Sequence, residues 1–177
     1  MKYTVKDIVI IALVAALTVV IGYLFYVAGS VFPVPGFKFV VFAPFLGFML
    51  FIPTRKIQKI GVITAISTVF AALMSSVSLF MGIAIFMTGI TTDLLTLLFF
   101  RNYNQTWKIT ASVGFYPVFA VLWAFLVSYL FTGNAMYKLV GGWISITLLC
   151  IVIYILGLVG AYLANKVIYT RIFNKNL

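Results

Sequence analysis

Histidine is absent from this sequence, cysteine occurs once, and acidic residues number two. Each shortage closes a class of chemistry. Metal ligation, haem attachment and general acid–base catalysis depend on His, Cys and clustered carboxylates. Here a single carboxylate, Asp93, lies inside an apolar run, so an aspartyl dyad is excluded. Ser75, Ser76 and Ser78 lie near a run boundary with no Lys at matching depth, which leaves no Ser/Lys pair. The chain therefore reads as no enzyme, and no cofactor or metal is expected to bind it. Cys150 lies in an apolar run and has no second cysteine to join, so a disulfide scaffold is excluded too. No Gly-rich loop ending in Lys and Ser/Thr occurs, so ATP-driven work needs a partner. Charge is also scarce, at 8% of residues, where a soluble domain carries about 25%.

Apolar side chains fill the gap. They make up 65% of 177 residues, with a mean hydropathy of +1.25, and a chain this short lacks the polar residues to cover such a core. The bilayer is the expected solvent. A spanning helix needs about 20 mostly apolar residues, and six runs approach that length. They are Ile8 to Ala28, Phe39 to Ile52, Ile60 to Ser76, Leu79 to Phe100, Ile109 to Phe131 and Ile144 to Asn165. The second, with Pro44 inside, reads as a short or broken span. No linker or second domain interrupts residues 1–177, so the expectation is an all-α membrane protein, one compact bundle of six transmembrane helices.

The net charge of +10 comes from basic residues in the breaks between runs, without a stripe of interleaved aromatics. Nucleic acid is not an expected partner. With the N-terminus in the cytoplasm, Lys2, Lys6, Arg55, Lys56, Lys59, Arg101, Lys108, Lys166, Arg171 and Lys175 fall inside, and Lys38 and Lys138 outside. That ratio of ten to two predicts cytoplasmic termini at both ends of a multi-pass plasma-membrane protein. A signal peptide is the competing account of the first run, but its removal would leave an odd number of spans and a poorer charge bias.

The longest outer segments are Gly29 to Lys38 and Thr132 to Trp143, both rich in turn residues. Tyr129, Tyr137 and Trp143 fit either an interfacial belt or ligand contact, and Phe131 reads as lipid-facing. Asp93 lies about 20 Å into the fourth run, in its cytoplasmic third. It has a structural reading, paired with Arg101, Arg55 or Lys56 or with hydroxyls such as Thr91 and Thr92. It also has a functional one, as the polar floor of a solute pocket or part of a conformational switch.

On the first run Ala12 and Ala16 form a small-xxx-small face that allows close helix approach. With six spans, a basic balance and a Lys-rich lead, this Ala-xxx-Ala helix resembles the first helix of S components, the substrate-binding membrane subunits of energy-coupling factor (ECF) importers. The resemblance implies a transmembrane coupling subunit, contacted through Ala12, Ala15 and Ala16, and two ABC-type ATPases that hydrolyse ATP. It implies solute capture at the outer face by Pro35 to Phe39, Ser75 to Phe80 and Asn134 to Trp143. There Phe37, Phe39, Phe80, Tyr137 and Trp143 offer apolar faces, while Ser76, Ser78 and Asn134 offer hydrogen bonds. Lys38 fits a carboxylate or phosphate, or serves as an interfacial cation. The mixture suits an uncharged or zwitterionic ring compound, a vitamin, with cobalamin the first choice. The alternatives are an autonomous channel or facilitator, and a membrane assembly factor.

Overall fold

The computed structural model describes residues 3–29, 36–133 and 141–169. Among these residues the chain forms six α-helices and no strands. They are α1 (Val5–Gly29), α2 (Phe37–Ile57), α3 (Val62–Ser75), α4 (Leu79–Phe99), α5 (Thr106–Thr132) and α6 (Trp143–Ala164), the last continuing as a π-helical turn, Asn165–Tyr169. Five of them are long and apolar enough to cross a membrane.

The exception is α3. Its 14 residues rise about 21 Å, short of a hydrocarbon core of about 30 Å. The sequence had pointed to the second run as the short one, and this is corrected: α2 spans 21 residues straight through Pro44 and Pro53. Proline is tolerated there because neighbouring helices enclose the weakened turn. The helix then continues through Thr54, Arg55 and Lys56, whose polarity had ended the apolar run. It stops where Gln58 turns left-handed and its N–H bonds the Thr54 carbonyl at 3.0 Å.

At the other end of the scale of polarity, α1 begins with a reciprocal capping box. The Thr4 N–H donates to Asp7 Oδ2 at 3.0 Å and the Asp7 N–H to Thr4 Oγ1 at 3.3 Å. Successive helices alternate in direction, so the bundle has a near end, where α1 starts, and a far end, where it finishes.

The most extensive contacts pair α2 with α6 and α3 with α4. Between α2 and α6 the backbones nearly touch, since a Cβ on Gly160 would collide with the Pro44 carbonyl. Gly89 of α4 likewise leaves room for the Ser67 side chain of α3, which a Cβ there would strike. Small residues are what membrane helices use to gain contact when lipid is as apolar as their side chains. The main core gathers Leu46, Leu50, Phe51, Ile63, Ile66 and Val113 around α2, α3 and α5. A smaller cluster, Ala43, Val121 and Ile153, joins α2, α5 and α6 toward the far end. Outward faces stay apolar, with Leu98 and Phe99 of α4 and Leu148 and Ile151 of α6 exposed, a surface that lipid tolerates and water does not.

Candidate functional site

Alternation brings the expected solute-site segments to one end. Phe37, Lys38 and Phe39 open α2, Ser76 and Ser78 form the α3–α4 turn, Phe80 sits in the first turn of α4, and Trp143 starts α6. Asn134 and Tyr137 lie outside the described residues.

The segments do not contribute alike. Phe37, Lys38 and Phe39 are half-buried, and Phe39 packs against the Ala43, Val121 and Ile153 cluster, a core role. Ser76 is exposed, but its hydroxyl donates to the Leu73 carbonyl at 2.6 Å. Its lone pairs, not its proton, face outward. Ser78 precedes α4 in extended conformation without a capping bond from its side chain. Phe80 tilts against Phe131, with ring centroids 5.0 Å apart, and Phe131, exposed as expected, also neighbours the site. Trp143 is 77% exposed.

A shallow groove of about 270 Å³ starts at this turn and runs along the α3–α4 seam past Ser75, Gly82, Ala71 and Thr68 to Phe86. Its hydroxyls are already committed, Ser75 to the Ala72 carbonyl at 2.7 Å and Thr68 to the Thr64 carbonyl at 2.8 Å. What remains for a ligand there is apolar contact and the acceptor lone pairs of those hydroxyls.

The near end is built differently. Asp93, 5% exposed, receives three donors: the Thr64 N–H and hydroxyl, both at 2.6 Å on Oδ2, and the Tyr103 hydroxyl at 2.7 Å on Oδ1. Thr64 lies in the first turn of α3, whose cap residue Gly61 has no side chain to offer. Asp93 thus caps α3 from the neighbouring helix, favoured by the positive end of the helix dipole. Tyr103 comes from the α4–α5 connection and is fully buried. Burial, then the adjacent Asp93, hold its hydroxyl well above the ordinary tyrosine value.

The structural reading of Asp93, paired with hydroxyls, gains its partners here in Thr64 and Tyr103 rather than Thr91 and Thr92. The Thr91 and Thr92 hydroxyls bond carbonyls of their own helix, Met87 and Thr88, and Arg101 is exposed. Beside this cluster Lys59 reaches Asp7 at 2.9 Å and lies 5.3 Å from the centre of the Tyr3 ring. Burial pushes the Tyr3 hydroxyl up, with Asp93 and Asp7 adding to it. Three donors on one carboxylate make a closed cluster, and among the described residues no three metal-ligating side chains converge.

On α1 the three alanines separate. Ala12 and Ala16 are exposed, whereas Ala15 is fully buried among Ile11, Val14 and the rest of the core. An outward face can therefore use only the first two.

No family model matches the chain, and no curated protein or solved structure matches it at a significant level.

Proposed function

We propose that this chain is the solute-binding membrane subunit, or S component, of an ECF-type importer. In this reading it sits in the cell membrane with both termini in the cytoplasm and captures a vitamin at the far end of the bundle. A transmembrane coupling subunit and two ATPases then carry the solute inward. The observation that carries the reading is the outward Ala12 and Ala16 pair on α1, a close-approach face left exposed among the described residues. The far end supplies exposed aromatic surface at Phe80 and Trp143 for an uncharged or zwitterionic ring, with cobalamin the first compound to titrate.

The test is co-purification with a coupling module. Ala12→Trp and Ala16→Trp should fold and bind solute yet lose the module, because bulk on the outer face blocks helix approach. Ala15→Trp should fail to fold, since its side chain would enter a filled core. Normal co-purification of both outward variants would refute the reading.

A further inference from the structure

The α4–α5 connection carries a basic platform that neither the α1 face nor the far end uses. Helix α4 ends with the N–H groups of Phe100 and Arg101 both bonded to the Thr96 carbonyl at 2.9 Å. Arg101 adopts a left-handed conformation there, φ 58°, a position where Gly or Asn is usual. A cation at a helix C-terminus is electrostatically favoured, which accounts for a charge but not for a side chain on strained backbone. Its guanidinium is exposed and takes no partner among the described residues.

Lys108, from the first turn of α5, reaches back to the same turn. Its ammonium lies 3.4 Å from the Phe100 carbonyl and 3.3 Å from Asn102 Oδ1, which holds a second positive charge at the turn that carries Arg101. Trp107 stands edge-on to Phe100, with centroids 5.4 Å apart, and remains 59% exposed with Lys108 5.9 Å from its ring. Directly before this level on α4, Leu98 and Phe99 are each 75% exposed. Apolar stem, then tryptophan and two cations at one level, is the profile of a phospholipid from acyl chain to phosphate.

We propose that Arg101, Lys108 and Trp107 form a headgroup site for an anionic phospholipid. Arg101 and Lys108 receive the phosphodiester, Trp107 lies along the glycerol region, and Leu98 and Phe99 meet the acyl chains. The apolar stem selects a lipid over free phosphate.

The experiment titrates the purified chain in detergent with phosphatidylglycerol, phosphatidylcholine or inorganic phosphate and follows thermal unfolding. Phosphatidylglycerol should raise the melting temperature and the other two should not. Arg101→Gln and Lys108→Gln should each weaken the half-saturating lipid concentration about fivefold, equivalent to the ~1 kcal/mol a basic residue gains near an anionic surface. Lys6→Gln and Lys56→Gln, exposed cations of the same end outside the platform, should leave it unchanged. Arg101→Gly separates binding from folding: without lipid it should melt no lower than the parent, because Gly accepts the left-handed backbone, while its lipid response falls. The proposal is overturned if Arg101→Gly keeps the full response, if the control cations weaken it equally, or if inorganic phosphate alone reproduces it.

Discussion

The two ends of the bundle are polar in opposite ways. At the near end the polar groups face one another: Asp93 with Thr64 and Tyr103, Asp7 with Lys59 and Thr4. At the far end the turn hydroxyls fold back onto their own helix, and Val77, Leu79 and Trp143 lie open. Groups that satisfy each other hold helices in place, and the Asp93 cluster makes the near end a scaffold, with the exposed α4–α5 turn beside it. The far end has exposed apolar and aromatic surface where the near end has that cluster.

The sharpest way to break this contrast is Asp93→Leu. It leaves the buried Thr64 N–H without its acceptor and throws the two hydroxyls back on the longer bonds to the Gly89 carbonyl and Thr96 Oγ1, both at 3.2 Å, a loss of about 2–3 kcal/mol. Denaturation in detergent should show it, and an unchanged midpoint would mean the near end is no scaffold. Next comes Trp143→Ala at the far end, which should weaken solute binding by about 1–3 kcal/mol, roughly 5- to 150-fold, with the melting temperature unmoved. Phe39→Ala is the less clean test, since Phe39 also packs in the core.

Tyr103→Phe keeps the ring and removes one bond to the carboxylate, for about 1–2 kcal/mol of stability and no change in binding. The same tyrosine gives a pH signature. Its folded-state value is raised above the unfolded 10.0, so its contribution is intact below pH 10 and is lost as pH rises beyond it. An alkaline melting series of parent against Tyr103→Phe should converge above that point. Smallest is Ser76→Ala, expected within about 0.5 kcal/mol in both assays, because its bond to Leu73 repeats what a helix end gets from water.

The number of helices was legible because run length is a property of sequence alone. Their limits were less so: Thr54, Arg55 and Lys56 look like a loop by polarity, yet α2 continues through them to Ile57. The solute-site segments converge on one end because alternation follows from short connections. The partners of Asp93 were hidden, since Thr64 and Tyr103 meet it only once α3 packs on α4 and the connection folds inward. The division of Ala15 from Ala12 and Ala16 was hidden as well. An α1 that is apolar on every side gives no pattern from which to read its inner face.

The shortness of α3 shapes the near surface. Asp93 holds Thr64 in the first turn of α3, while α4 runs on to Phe99, six residues or about 9 Å farther. The polar anchor between the two helices therefore lies inside the span of α4, not at its tip, and the last turn and a half of α4, with Leu98 and Phe99 exposed, extends past the point where α3 holds it.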